Sequence, residues 1–198
     1  MKTPPVIDLH SHSTKSDGRE SVRQVFETAA RTGVDILALT DHDTTSGWAE
    51  AEACARELGI GFVPGIEVTT RANVEGRDGR RHRFGVHMLA YLPNPEDTAL
   101  MGALTTSVES REGRLQEIVA RIAKDFELTW DDVLAELSDG ATMGRPAVAD
   151  ALITRGHFAN RGEVFEQVFF QGGPYYVPNT GVPETIEAIE LIRGAGGV

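Results

Sequence analysis

Residues 6–18 read VIDLHSHSTKSDG. The core of this stretch, Ile7-Asp8-Leu9-His10-Ser11-His12, has the alternation of a strand. Side chains two residues apart on a strand share a face, so His10 and His12 project together. Two imidazoles so placed can bind one divalent ion, and nitrogen and oxygen donors suit zinc, manganese and iron. HxH is a short pattern, however, and a polar strand end with two solvated histidines is the competing reading. The segments that follow decide between them.

Beyond this stretch, Val22, Val25, Phe26 and Ala29 fall at helical spacing within residues 20–31, and Gly33 stops the helix. DILAL (35–39) is a second apolar strand. Ser46 is placed to cap a helix over 48–58, which Gly59 ends. GFVPGIEV (61–68) is a third strand, with Pro64-Gly65 marking a bend or bulge. Strand, helix, strand, helix, strand at this rhythm predicts right-handed βαβ units and a parallel sheet. Residues 71–83 form a polar loop or hairpin tip before another strand, FGVHMLAYL (84–92). Pro93-Asn94-Pro95 then breaks the rhythm. The pattern over 97–139 is helical, with a new helix starting at Thr129-Trp130. Pro146 sits in the first turn of a helix running to Thr154, Asn160 can cap residues 163–170, and a last helix covers 183–193. Three parts result: residues 1–96 as the N-terminal part of an α/β barrel, 97–180 as a helical insertion, and 181–198 as the return to the barrel. The closing GAGGV (194–198) reads as a helix turning into a further buried strand, so the last strands of the barrel are expected to be absent from this sequence.

Catalytic groups of parallel barrels sit at the C-terminal ends of strands. By that rule, strand ends deliver His10 and His12 with Asp17 in the loop, His42 within Thr40-Asp41-His42-Asp43, Glu67 in Gly65-Ile66-Glu67, and His87. His82 and His157 fall outside the set. His82 lies in an arginine-rich loop and reads as a surface residue. His157 follows Gly156 at a helix end, where a cation is favoured.

The bulk numbers narrow the function class. The 198 residues carry a formal net charge of −11, which argues against a general nucleic-acid surface and against stable binding of duplex DNA. An acidic protein still acts on phosphates when metals and a few arginines line its pocket. The one cysteine, Cys54, cannot form an internal disulfide and reads as a buried apolar residue, consistent with a cytoplasmic protein. The N-terminus lacks a signal-peptide apolar region, and no stretch reaches the roughly 20 apolar residues of a membrane span. Nothing in the sequence fixes an oligomeric state.

The combination DLHSHSTKSDG, LALTDHDT, PGIEVT and GVHMLAY resembles the PHP superfamily, named for polymerase and histidinol phosphatase. It is most similar to the branch of small bacterial metal-dependent phosphoesterases that act on nucleotides and short RNA. GRPAVADALITRG, PYYVP and GAGGV extend the likeness along nearly the whole chain. The resemblance implies a distorted (β/α)7 TIM-like barrel with up to three divalent metals, manganese, iron or zinc. It implies that His10 and His12 bind the first metal, that Glu67 bridges first and second, that His87 binds the second, and that Asp17 and His42 bind the third. Relatives complete the cage with a histidine after the next strand and a later Asp-x-His pair, which this sequence does not contain. The implied activity is hydrolysis of a phosphate monoester of a nucleotide, or of the 5′ end of a short RNA, by a hydroxide held between metals.

Three further positions carry weight. Asp41 can accept a hydrogen bond from a metal-bound histidine, or cap the following turn, while Asp43 reads as a turn residue. Arg145 can reach over the rim to grip a phosphate, or form a surface ion pair. Relatives often carry histidine where Ala147 stands and lysine where Gly173 stands. Their replacement here removes polar contacts that a second substrate phosphate would use. Tyr175 and Tyr176 can stack on a base or pack the insertion against the barrel. Two rival functions remain. A non-catalytic metal-binding scaffold would be expected to have lost ligands, whereas every ligand expected before residue 198 is intact here. A metal-dependent amidohydrolase would be expected to pair HxH with a bridging lysine, where this chain offers Glu67.

Overall fold

The computed structural model describes residues 4–77, 79–137, 143–170 and 172–198. The end of the helical pattern expected to reach residue 139 lies outside the described residues. Four strands, β1 (Ile7–Asp8), β2 (Ile36–Leu39), β3 (Gly61–Glu75) and β4 (Arg81–Tyr91), form one sheet in the order β1-β2-β3-β4. The first three are parallel, as the βαβ rhythm requires, while β3 and β4 pair antiparallel from Gly65↔Tyr91 to Glu75↔Arg81. The reversal follows from the connection. A parallel return needs a crossover of about a dozen residues or more, and only residues 76–80 separate the two strands. His87 therefore comes from the interior of an antiparallel strand and not from a strand end.

β1 is shorter and more exposed than the buried strand expected over residues 6–10. Only Ile7 and Asp8 pair, and Ile7 is 51% exposed, because β1 has a single neighbour in the sheet. The sheet curls into a half-barrel. Its two outer strands approach closely enough for the Tyr91 hydroxyl to donate to the Leu9 carbonyl at 2.9 Å. At the other side of β4, the backbones of Tyr91 and Val198 exchange two hydrogen bonds of 2.8 and 3.0 Å.

Helix α1 (Val22–Thr32) starts in a capping box, in which the Ser21 side chain accepts from the Gln24 N–H and the Gln24 side chain accepts from the Ser21 N–H. Helix α2 (Trp48–Leu58) departs from expectation at its start. Gly47 is the N-cap and no side chain caps the helix, so Ser46 does not serve that role. The helix instead starts hard against β2, where a Cβ on Gly47 would stand 2.8 Å from Leu39 Cδ2. Both helices bury an apolar stripe against β2, through Val22, Phe26, Ala51 and Cys54 around Leu37 and Leu39.

A second group of helices comprises α3 (Thr98–Ile122), α4 (Trp130–Ala135), α5 (Arg145–Thr154) and α6 (Arg161–Gln167), with α7 (Thr185–Gly194) returning to the sheet. α3 belongs to two cores. Its first half packs Leu100 and Leu104 with Ile66 and Val68 of β3 and Ala188 and Ile192 of α7. Its second half packs Leu115, Ile118 and Ile122 with Val133 of α4, Val148 and Leu152 of α5 and Val164 of α6. His157 supports this second core, its Nε2 lying 3.0 Å from the Glu127 carbonyl and its ring 5.5 Å from that of Phe126.

Ile122 is fully buried in the second core. Ile122→Ala is expected to lower stability by about 2–5 kcal/mol, the range for removing a buried branched side chain. Urea denaturation followed by circular dichroism checks it, and a loss below about 1 kcal/mol would mean that α3 is not packed as described.

Candidate metal centre

The loop after β1 is shaped by one carboxylate. Asp41, 1% exposed, accepts from the Ser13 N–H at 2.8 Å, the Ser13 hydroxyl at 2.7 Å and the Ser16 hydroxyl at 2.5 Å. Ser16 Oγ in turn lies 3.4 Å from His12 Nδ1. Asp41 thus holds the 13–16 loop and reaches His12 only through Ser16. Gly18 closes the loop, since a Cβ there would stand 2.6 Å from the His12 carbonyl oxygen.

Glu67 is the point of convergence. Its backbone N–H lies 3.2 and 3.3 Å from the carbonyls of Thr40 and Asp41, and its carbonyl accepts from Asp43 at 3.1 Å. These bonds seat it beside His42 in the continuation of the parallel sheet. On the other side, the register Glu67↔Leu89 and Thr69↔His87 sets Glu67 and His87 diagonally on one face of the hairpin. One carboxylate oxygen, Oε2, lies 2.7 Å from His10 Nε2 and 2.9 Å from His12 Nε2; the other, Oε1, lies 3.2 Å from His87 Nδ1 and 4.0 Å from His42 Nδ1. Asp17 stands 3.6 Å from His12 Nδ1 and 3.7 Å from His42 Nε2.

All six residues expected as ligands are therefore brought together. They form three overlapping groups whose donor atoms lie within 4.8 Å of one another: His10, His12 and Glu67; His12, Asp17 and His42; His42, Glu67 and His87. The donor chemistry fits divalent ions. Ligands about 2.1 Å from one ion and at right angles stand about 3 Å apart, and His10 Nε2 and His12 Nε2 are 3.0 Å apart beside Glu67 Oε2. His42 Nδ1 is buried without a hydrogen-bond partner, the state expected of a lone pair reserved for a ligand.

Protonation fits the same reading. Burial pushes the His42 imidazole down to about 4, with the Arg111 and His12 charges acting in the same direction, so its nitrogens are neutral at pH 7. Burial opposes ionisation of Glu67, but hydrogen bonds from His12, His87 and His10 outweigh it and hold the carboxyl well below the usual range. His12 runs the other way: burial disfavours its charged form, but the hydrogen bond to Glu67 and the carboxylates of Asp17, Glu67 and Asp41 more than offset it and raise its pKa, so a metal would have to displace that proton.

The sequence reading missed the support beneath this cluster. Asp43 is more than a turn residue. It adopts a left-handed backbone (φ 53°), and its carboxylate accepts from the Thr69 N–H and hydroxyl, each at 2.7 Å, and from the Arg111 guanidinium. Arg111 also donates to Thr69 Oγ1 at 2.8 Å. Burial lowers its guanidinium to about 10, which leaves it charged at neutral pH. A signal existed: Leu104, Ser107, Arg111, Leu115 and Ile118 share one face of α3, so an arginine interrupts a buried stripe.

Arginines also hang residues 176–180 across the cleft mouth. Arg121 donates to the Tyr176 carbonyl at 2.6 Å, Arg114 to that of Val177 at 2.7 Å, and Arg71 to that of Asn179 at 3.3 Å. Tyr175 packs with the second core and donates to Asp125 at 2.8 Å, while Tyr176 lines the cleft. Arg145 lies over the Phe165 ring, 5.4 Å from its centroid, and shares with Asp17, His42, His87, Arg111 and Arg114 a cleft beside the histidines. Among the described residues it has no ion-pair partner. Burial lowers the pKa values of both Arg114 and Arg145, and for Arg114 the neighbouring Arg145 charge adds to this.

Residues 8–164 match the PHP domain family. The chain belongs to that family. Among curated relatives, a 5′-3′ exoribonuclease of Haemophilus influenzae is 34% identical over 96% of this chain and 66% of its own length. A 3′,5′-nucleoside bisphosphate phosphatase of Chromobacterium violaceum is 32% identical over 97% of this chain and 64% of its own. A crystal structure from Bifidobacterium adolescentis, described as a candidate metal-dependent phosphoesterase, superposes with a TM-score of 0.89 at 35% identity, covering 99% of this chain and 66% of that one. The PHP chain described here thus spans about two thirds of the length of the relatives it matches.

Removing Arg111 leaves the Asp43 carboxylate buried and unpaired. Arg111→Met is expected to cost about 3–5 kcal/mol, and Asp43→Asn combined with Arg111→Met less than the sum of the single changes. Chemical denaturation of the double-mutant cycle checks this, and additive effects would mean that the pair is not coupled.

Proposed function

We propose that this PHP domain takes part in metal-dependent hydrolysis of a phosphate monoester carried by a nucleotide or short oligonucleotide. The observation that carries the reading is the sharing of Glu67 by two donor groups beside a cleft containing Arg114 and Arg145. In the proposed assignment His10, His12 and Glu67 would hold one divalent ion, His42, Glu67 and His87 would hold a second, and His12, Asp17 and His42 would offer a third position. Manganese, iron and zinc all suit these donors. When bound, such ions supply Lewis acidity and a nucleophile at neutral pH.

The chain's own residues do the rest. Arg145 and Arg114 neutralise and orient the phosphate oxygens, as planar guanidinium groups do in paired hydrogen bonds. Asp41 fixes the loop bearing His12 and Asp17, and Asp43 with Arg111 fixes the turn bearing His42. In this reading Asp41 and Arg111 act as positioning residues and Arg145 touches the substrate. The family relatives named above act on phosphorylated nucleotides and RNA, which supports the substrate class. Glu67 in place of a bridging lysine disfavours amidase chemistry.

Elemental analysis after loading with manganese or zinc is the first test. The protein is expected to retain stoichiometric divalent metal, and Glu67→Gln to hold less of it and to lose any release of phosphate from 5′-phosphorylated nucleotides. Tight stoichiometric metal without phosphate release from any phosphorylated substrate would move the reading to a non-catalytic scaffold. Absence of bound metal would remove it altogether.

A further inference from the structure

The β3–β4 hairpin runs well past the part of the sheet that holds Glu67. Its paired positions Thr69↔His87, Arg71↔Gly85 and Asn73↔Arg83 alternate onto one face. That face is continuous with the metal centre at His87 and forms a wall of a second cleft of about 390 Å³. Arg71, Arg83, Arg114 and Arg145 line it, together with Phe84, Phe169 and Tyr176. Four guanidinium groups on one cleft of a chain of net charge −11 mark a local reversal of the molecule's electrostatic sign.

The hairpin arginines are held in series. Glu184 pairs with Arg71 at 2.9 Å and accepts from Asn73 Nδ2 at 2.7 Å, and Asn73 Oδ1 accepts from Arg83 Nε at 3.1 Å. Arg83 is thus aligned by a neutral amide, and among the described residues no carboxylate neutralises it. Phe84 follows it on the opposite face of the strand, where its ring stacks on that of His82, so the aromatic rings on the cleft side are those of Phe169 and Tyr176. The side-chain amide oxygen of Asn179, buried without a partner, lines the same cleft. Four steps of antiparallel strand separate Arg83 from His87, a span of about 14 Å. Stacked bases advance only about 3.4 Å per step along a strand, so the phosphate of a mononucleotide held at the metal centre leaves Arg83 empty-handed.

We propose that the inner face of this hairpin is a distal phosphate subsite. Arg83 grips a backbone phosphate several nucleotides beyond the reacting end, and Tyr176 on the opposite wall of the cleft stacks on an intervening base. The ligand class is a single-stranded oligonucleotide bearing a terminal phosphate, not a free mononucleotide. This rests on the phosphoesterase reading above and extends it to the length of the substrate. The subsite is sequence-tolerant, because guanidinium–phosphate contacts and base stacking read no base edge.

Binding without turnover isolates the subsite. Unlabelled 5′-phosphorylated oligoadenylates of one to five units would compete with a 3′-fluorescein pentamer in chelator, read by anisotropy. The affinity ratio of pentamer to monomer is expected to exceed about tenfold in the wild type and to collapse to within about threefold in Arg83→Gln, with the salt slope falling by about 0.7 for the one lost single-strand phosphate contact. Asn73→Ala, which keeps the charge but frees it, is expected to give an intermediate ratio. An undiminished ratio in Arg83→Gln, or equal affinities for all lengths in the wild type, would overturn the subsite. Phosphate release from a mononucleotide by the metal-loaded wild type, measured separately, tells whether the phosphoesterase reading survives that result. No binding at any length together with no release would remove both.

Discussion

A carboxylate surrounded by four imidazoles is the constraint around which this half-barrel is arranged. Glu67 has two oxygens, and each faces a different pair of histidines supplied by different parts of the chain. His10 and His12 arrive from the loop after β1, His42 from the turn after β2, and His87 from the hairpin partner of β3. No two of these sources can shift independently without separating donors that now lie 2.7 to 4.0 Å from the same group. Clustering so many ligating groups disfavours the folded state unless a charge compensates it. The cluster therefore depends on the rigid support behind it. That support is polar and buried: Asp41 with two serines on one side, Asp43 with Thr69 and Arg111 on the other.

Much of this was legible in the sequence, and the reason is local. HxH just past one strand, TDHD after the next and GIE within a third are short patterns placed by the strands they adjoin. Their order along the chain brought four of the six expected ligands, His10, His12, His42 and Glu67, into view, with Asp17 and His87 added by the neighbouring segments. The first three strands and their parallel pairing followed from the strand–helix rhythm for the same reason. What escaped was non-local. The direction of β4 depends on how far β3 continues beyond Glu67, and the polar stretch 71–83 disguised a ladder running to Glu75↔Arg81. The exposure of β1 depends on what lies beside it in the sheet, which residues 6–10 cannot report. Ser46 lost the capping position to Gly47 because packing against Leu39 set the helix start.

The supporting arginines illustrate the other kind of difficulty. Arg111, Arg114 and Arg121 look like ordinary solvated positions of a long helix. Their partners are the Asp43 carboxylate and the carbonyls of Val177 and Tyr176, far away in sequence. A guanidinium with several donors can satisfy backbone carbonyls that no helix or sheet would use, and that property builds the strap at 176–180. Only the interruption of the apolar stripe on α3 by Arg111 carried a hint of this.

The double membership of α3 has a mechanical meaning. One half of that helix packs on the sheet, the other nucleates the helical cluster, and Arg111 near its middle reaches Asp43 beside His42. The turn carrying His42 therefore gains its ion pair only once α3 has docked against the strands. The histidine cluster thus owes part of its rigidity to a helix that contributes no donor to it, and a change that loosens either core of α3 is felt at the turn carrying His42.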